Sequence, residues 1–305
     1  MSAKIACIIP SHNHARYVVE AIESVLHQSL PPDRLIIIDD GSSDESVERI
    51  RTISDHKIHL VEQPNQGAHA ALNRGLELAN ESDFIAILNS DDRYHRARFA
   101  KCVAYLERHT DIRLVCTRVR VINESGFPLD KKDGKQRSLD RIWGHLRKDE
   151  NLVPSLGYGN FVKTTSNFFF RTGAIREFRS YRYAHDYFAA LMLALHDALG
   201  VIHESLLDYR IHPTNTIKAE GKGAVLSEIV RMHLDLLVEL RPDLETDPFL
   251  RKRVVSYLRV ALNNYTDMRS ELLLLSLARA LDGEANLTKA LASFPEITEP
   301  STPVP

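Results

Sequence analysis

The chain has little of what marks several large protein classes. Among its 305 residues are only 3 cysteines, Cys7, Cys102 and Cys116. An odd number, each in or beside an apolar segment, excludes a disulfide framework and reads as small buried side chains in a reducing compartment. No uninterrupted apolar stretch reaches the roughly 18 residues of a membrane span. The nearest, Leu272 to Leu275, is soon broken by Arg279 and Asp282. No leader is visible either: Met1-Ser2-Ala3-Lys4 runs into Ile5 to Ile9, which Pro10 ends, too short for the apolar core of a signal peptide. The expected location is therefore cytoplasmic. Basic excess is missing too, since the formal net charge is -2, and this speaks against a nucleic-acid partner.

What is present is ordinary for a soluble globular protein: 44% hydrophobic and 26% charged residues, on a length that suits one large α/β domain and a smaller addition. The first ninety residues alternate apolar runs with amphipathic segments. Ile5 to Ile9 reads as a strand, and Val18, Ile22, Val25 and Leu26 follow at helical spacing. Leu35 to Ile38 is apolar at every position, as in a strand covered on both faces. A helix from about Glu45, a strand at Ile58 to Val61, a helix with the small-residue stripe Ala68, Ala71, Gly75 and Ala79, and a strand at Phe84 to Leu88 complete the pattern. This predicts an α/β fold with a doubly wound, mostly parallel, Rossmann-like sheet.

Farther on, the pattern predicts a helix around Phe99 to Leu106, a strand at Leu114 to Val121, and a mobile loop at Lys131 to Lys135 within a Gly-, Pro- and charge-rich stretch, 123–160. A strand at Thr165 to Phe170 and a helix at Asp186 to Leu195 follow. Beyond the linker Gly221-Lys222-Gly223, Val225 to Leu240 and Val254 to Leu281 read as amphipathic helices separated at Pro242. The organisation expected is a catalytic domain over 1–220, a helical extension over 221–294 and a proline-rich, unstructured tail over 295–305. Leu226, Ile229, Val230, Leu234 and Leu237 form an apolar stripe. Packing on the catalytic domain explains it; self-association or shallow contact with the inner face of a membrane would use the same stripe.

In open α/β sheets ligands bind beyond the carboxyl ends of the parallel strands, and the polar clusters fall there: Ser11-His12-Asn13, Asp39-Asp40-Gly41-Ser42 and Asn89-Ser90-Asp91-Asp92. Asp91-Asp92 could hold a hard divalent cation, with a diphosphate supplying further oxygens, or could be a solvated turn opening a helix at Arg93. Asp40 could accept a base N–H, or the segment could be only a turn and cap. His12 is placed to stack on a base, and Gly67, in Asn65-Gln66-Gly67, to let backbone approach a ligand; an ordinary loop explains both. Asp186 opens an apolar helix, either as a cap or as a general base. Tyr209-Arg210-Ile211-His212 offers cationic groups for a diphosphate or metal, or is a polar edge strand.

The order of these signals carries more than any one of them. Ile8-Ile9-Pro10-Ser11-His12-Asn13, Ile38-Asp39-Asp40-Gly41-Ser42-Ser43-Asp44, Asn65-Gln66-Gly67, Ala71-Leu72-Asn73-Arg74-Gly75, Leu88-Asn89-Ser90-Asp91-Asp92, His185-Asp186 and Tyr209-Arg210-Ile211-His212 together resemble the family-2 glycosyltransferases of the GT-A fold, over roughly residues 4–216. The resemblance implies an inverting enzyme moving a sugar from a nucleotide-sugar donor, a UDP-sugar by preference, to a hydroxyl on a glycan or lipid-linked glycan, in surface polysaccharide or glycolipid synthesis. It implies donor contacts at Pro10, Ser11, His12, Asn13, Asp40, Gly67, Arg74, Asp91 and Arg210, with Asp91 near the ribose. Asp92 and His212 would hold Mn2+ or Mg2+, and Asp186 would be the base. Two positions depart from the family pattern: Asn89 stands where Asp is common, and His12 where Tyr is common. A sugar nucleotidyltransferase would share the sheet but carry a glycine-rich loop after the first strand, and Pro10 to Asn13 contains no glycine. A non-catalytic donor-binding scaffold would not require Asp92, Asp186 and His212 together.

Overall fold

The computed structural model describes residues 3–146, 152–215 and 222–261. An eight-stranded sheet has the order β3-β2-β1-β4-β7-β6-β8-β5. Its strands are β1 (Ile5–Ser11), β2 (Arg34–Asp40), β3 (Ile58–Gln63), β4 (Phe84–Ile87), β5 (Arg93–Tyr94), β6 (Leu114–Ile122), β7 (Phe169–Arg171) and β8 (Leu199–Arg210). β1 to β4 are mutually parallel, β7 runs antiparallel between β4 and β6, and β6 pairs parallel with β8. The central strands are apolar along their whole length because both faces are covered: Leu35, Ile36, Ile37 and Ile38 are all fully buried.

The helices of the first half are α1 (Val18–Leu26), α2 (Ser46–Arg51), α3 (Ala68–Leu78) and α4 (Arg98–Arg108). The small-residue stripe of α3 has a steric reason: a Cβ added at Gly75 would lie 2.4 Å from Cγ2 of Ile8, so the helix sits directly on β1. The three cysteines are buried, and burial pushes the Cys102 thiol up to about 11. They are inert core side chains.

Several boundaries differ from the sequence reading. The stretch 123–160 holds two helices, α5 (Gly134–Gly144) and α6 (Leu152–Tyr158). The Lys131 to Lys135 run is the turn that leads into α5: Asp133 caps the helix by accepting the Lys135 N–H at 2.8 Å. Gln136, Leu139 and Trp143 then face inward at helical spacing. Arg93 and Tyr94 do not open a helix but pair with Asp208 and Leu207 of β8, which makes β8 an interior strand. Thr165–Asn167 form a 3-10 turn, with β7 after it.

The helix α7 (His185–Leu195) has the expected position. Of the two C-terminal helices, Lys222–Thr246 continues through Pro242, and the break falls at Asp247. There the Asp247 carboxylate accepts the N–H groups of Phe249 and Leu250, and Pro248 takes the first helical position, where its missing N–H costs nothing. Leu234 and Leu237 are buried in the common core, with Leu226, Ile229 and Val230 packed against it. The stripe is thus packed within the fold, Leu234 and Leu237 fully and the other three in part. The Pro248–Ala261 helix lies so close to α6 that a Cβ at Gly157 would meet Val260 Cβ at 2.8 Å. The expected apolar surface at Leu272 to Leu281 lies outside the described residues. Among the described residues no helix is long and apolar enough to cross a membrane.

Candidate active site

The carboxyl ends of β1, β2 and β4 open into a cleft of about 920 Å3. Of the residues singled out from the sequence, Pro10, Ser11, His12, Asn13, Asp40, Gly67, Asp91 and Asp186 line it.

The loops after β1 and β2 are locked together. Asn13, in a left-handed conformation at φ 53°, accepts the Ser43 N–H on Oδ1 at 2.7 Å, a conformation asparagine tolerates well. His12 Nδ1 lies 2.9 Å from the Asp40 carbonyl, while Nε2 faces the amide nitrogens of Asn13 and Asn65 at 3.1 and 3.2 Å. The consistent tautomer donates from Nδ1 and accepts at Nε2. Asp40 is buried and accepts from Gln63 Nε2, the Gln66 N–H and the Gly67 N–H at 2.8 to 3.0 Å. Its first task is thus to hold the Asn65-Gln66-Gly67 turn, in which Gly67 takes φ 90°. The Ser11 hydroxyl, at the end of β1, has no hydrogen-bond partner among the described residues.

The paired aspartates diverge. Asp92 is 1% exposed; its Oδ1 accepts the Arg210 N–H at 2.9 Å and its Oδ2 the Ser166 hydroxyl at 2.6 Å. Asp91 instead faces the cleft, with Oδ2 2.9 Å from His212 Nε2. The ligand-type atoms of His14, Asp91 and His212 lie within 4.8 Å of one another. Burial and the Asp91 charge raise the Asp92 carboxyl well above the ordinary range. Burial also works to raise Asp91, but the His212 hydrogen bond and the His14 and His212 charges outweigh it and hold that carboxyl low. Burial lowers His14 as well, which favours the neutral imidazole that a metal requires. His14 Nδ1 lies 2.8 Å from the Ser90 hydroxyl and His212 Nδ1 2.8 Å from that of Thr214, so both rings are oriented from behind. One carboxylate and two imidazoles fit a divalent ion with a taste for nitrogen as well as oxygen. Of the two expected ligands the cluster contains His212 but not Asp92; Asp91, expected as a donor contact, and His14, which the sequence reading had left unassigned, stand with it.

Two expected donor contacts lie elsewhere. Arg74 is exposed and paired with Glu77 at 2.8 Å, because its place on α3 faces solvent. Arg210 is 1% exposed; its Nε donates to the Asp91 carbonyl at 2.8 Å, its NH1 to the Glu124 carbonyl at 3.0 Å, and its NH2 to Glu20, beneath the Tyr17 ring. It clamps the aspartate loop from the protein side and has no reach to the cleft.

Asp186 lies in the first turn of α7, lines the cleft, and has one contact on each oxygen: the Tyr187 N–H at 2.7 Å and Asn160 Nδ2 at 3.0 Å. It does not cap its helix. The turn ahead of the helix is held by Glu228, from the Lys222–Thr246 helix, whose carboxylate accepts the N–H groups of Arg182, Tyr183 and Ala184 at 2.5 to 2.9 Å. The C-terminal helix therefore fixes both α7 and the cleft wall at 181–183. Tyr187, Tyr257 and His233 add a buried polar chain: the two hydroxyls are 2.8 Å apart, and Tyr257 Oη lies 2.6 Å from His233 Nε2.

Comparison with known proteins accords with this geometry. The model of the family "Glycosyl transferase family 2" matches residues 6–179. An uncharacterized glycosyltransferase of Rickettsia prowazekii is 29% identical over 225 residues, 70% of this chain and 66% of that protein. A putative teichuronic acid biosynthesis glycosyltransferase of Bacillus subtilis is 32% identical over 130 residues, 42% of this chain and 51% of that protein. The first relatives are matched over only 20% to 66% of their own lengths. Among solved structures, S. aureus TarS 1-349 in complex with UDP-GlcNAc superposes with a TM-score of 0.66 at 13% identity, over 96% of this chain and 89% of that one. The mannosyltransferase PcManGT of Pyrobaculum calidifontis, in complex with GDP-Man and Mn2+, gives 0.56 at 15%, over 96% and 86%. The sheet, the cleft at its carboxyl edge and these matches lead to one conclusion: the chain has the GT-A fold and belongs to glycosyl transferase family 2.

Proposed function

We propose that the protein is an inverting, metal-dependent glycosyltransferase that uses a nucleotide-sugar donor, a UDP-sugar by preference, and a hydroxyl acceptor on a glycan or lipid-linked glycan. The observation that carries the reading is that His14 and Asp91, with His212 buried beside them in one cluster, line the same cleft as Asp186, at the strand ends where a nucleotide is held in such sheets. Neighbours of the same fold bind UDP-GlcNAc or GDP-Man, which supports a nucleotide sugar as ligand, and the Bacillus relative supports a role in wall polysaccharide synthesis.

Asp91, His212 and His14 would hold the ion, and the two imidazoles favour Mn2+ over Mg2+, which prefers all-oxygen sites. When bound, a divalent ion supplies charge stabilisation to the departing diphosphate. The chain's own residues do the rest. The loops of Pro10 to Asn13 and Asp40 receive the nucleoside. Asp186 takes the proton of the acceptor hydroxyl as that oxygen attacks the anomeric carbon from the face opposite the leaving group. Asn160 and the Tyr187 N–H each hold one carboxylate oxygen and leave lone pairs for the proton. One displacement inverts the centre, so the site needs no second nucleophilic carboxylate. Calorimetry across UDP-, GDP- and dTDP-sugars, with and without Mn2+, tests the reading: tight binding of one nucleotide class only with the metal is expected, and metal-independent or absent binding would contradict it.

A further inference from the structure

The two hydrogen bonds of the Asp186 carboxylate differ in kind. Oδ1 accepts the N–H of Tyr187, the next residue in the chain, at 2.7 Å. Oδ2 accepts Asn160 Nδ2 at 3.0 Å, from the loop between α6 and the 3-10 turn. A bond to the next residue moves with the helix and cannot register the carboxylate against the rest of the site. Among the described residues only the Asn160 bond ties it to another element. Asp186 lines the cleft and Asn160 does not.

The loop that carries Asn160 is held along its length. Asn160 Oδ1 accepts the Lys163 N–H at 3.2 Å, and Lys163 takes φ 76°. A left-handed conformation is uncommon for a long side chain and persists where the surroundings impose it. Thr164 Oγ1 accepts Asn89 Nδ2 at 2.9 Å, and the Thr165 hydroxyl donates to Asn89 Oδ1 at 3.0 Å. The Ser166 hydroxyl donates to Asp92 Oδ2 at 2.6 Å and accepts the Asn89 N–H at 2.9 Å. Asn167 is fully buried and anchors the segment on β6: its Oδ1 accepts the Thr117 N–H at 2.9 Å, and its Nδ2 donates to the carbonyls of Thr117 and Val162 at 2.8 and 3.0 Å.

One end of segment 160–167 therefore grips the base, and the other grips the turn that presents Asp91. A single displacement needs the attacking oxygen, the anomeric carbon and the leaving group in line. The base fixes the first of these, and the Asp91 cluster the last.

We propose that Asn160 is the positioning residue of the base: it registers the Asp186 carboxylate against the aspartate turn and touches neither substrate. The proposal rests on the reading of Asp186 as the base.

The test is a double-mutant cycle on the full chain, with Asn160→Ala and Asp186→Asn singly and together. The readout is release of nucleoside diphosphate from the UDP-, GDP- and dTDP-sugars of the calorimetric screen, with Mn2+ present and water as acceptor. In the wild-type background Asn160→Ala should lower kcat about 10- to 100-fold, the scale of a misplaced reacting group. The donor KM and the UDP–Mn2+ dissociation constant should stay within about threefold. In the Asp186→Asn background the same change should alter the residual kcat by less than about threefold, because no base remains to be aimed. Asn160→Asp separates positioning from loop structure, and decides the matter if Asn160→Ala does not fold. It keeps the acceptor for the Lys163 N–H but has no amide to offer Asp186, so its kcat should fall as well. Wild-type kcat in either Asn160 variant, or an equal loss in both backgrounds, overturns the positioning role and leaves Asp186 standing as the base. A wild-type kcat in Asp186→Asn, or no turnover by the wild type itself, overturns the catalytic reading and the proposal with it.

Discussion

Adjacent aspartates should fail in opposite ways when replaced, and the structure sets the sizes. Asp92→Ala removes the acceptor of the buried Arg210 N–H and of the Ser166 hydroxyl. A buried donor left unsatisfied costs about 1–3 kcal/mol. The Ser166 hydroxyl can turn toward Thr164 Oγ1, 3.3 Å away, so the total should fall at roughly 2–4 kcal/mol. For a chain of this size that is a drop of about 5–15 °C in melting temperature. The His14, Asp91 and His212 cluster is left in place, so Mn2+ binding per folded molecule should persist. Asp91→Asn keeps the shape and a contact to His212 but removes the anionic ligand. Even changes behind a metal ligand cost about 10- to 100-fold in affinity, so UDP–Mn2+ binding should weaken by more than about 10²-fold, with little change in melting. Calorimetry with UDP and Mn2+, run beside differential scanning fluorimetry, reads both. An Asp92→Ala protein that melts normally and cannot bind, or an Asp91→Asn protein that binds like wild type, would refute the assignment.

Other perturbations probe the frame around the site. Glu228→Ala strips the acceptor from three N–H groups ahead of α7; it should cost about 1–2 kcal/mol and lower kcat without changing UDP–Mn2+ affinity, and Glu228→Gln should recover part of both. Gly75→Ala places a methyl 2.4 Å from Ile8 Cγ2 and should destabilise by about 1–3 kcal/mol, seen as a lower urea midpoint. His233, whose pKa burial lowers to about 4, binds its proton more weakly folded than unfolded. Its contribution to stability is therefore complete above about pH 6.5 and is lost as pH falls toward 4, by up to about 3 kcal/mol. Urea midpoints at pH 7 and 5 should converge in His233→Gln relative to wild type.

The first four strands were legible because parallel strands covered on both faces write continuous apolar runs, and the polar loops after them sit where the sheet places its ligands. β8 was not, because bulges opposite Thr117 and Arg118 and three exposed residues in its middle break any period. α5 hid behind a lysine-rich cap that resembles a loop, although Gln136, Leu139 and Trp143 carried the helical spacing. The choice between Asp91 and Asp92 could not be read, since neighbours in a tight turn face opposite ways and only the fold shows which meets His212. His14 and Glu228 matter through partners 198 and 44 residues away in the chain, a distance over which local pattern carries no signal. Arg210 misled for a related reason: a cation in a polar motif looks the same whether it faces the ligand or the loop that holds the ligand.

The central claim is that Asp186 is the base and not a helix cap, and one variant tests it most directly. Asp186→Asn preserves shape and can still accept the Tyr187 N–H, but it cannot take a proton. Measured as turnover of the donor bound with Mn2+, kcat should fall by at least ~10²-fold, the usual scale of general-base contributions. The UDP–Mn2+ dissociation constant should stay within a few-fold, and the melting temperature should hold, since Glu228 and not Asp186 satisfies the N–H groups ahead of the helix. A variant that binds UDP–Mn2+ normally, melts normally and turns over at the wild-type rate would contradict the account.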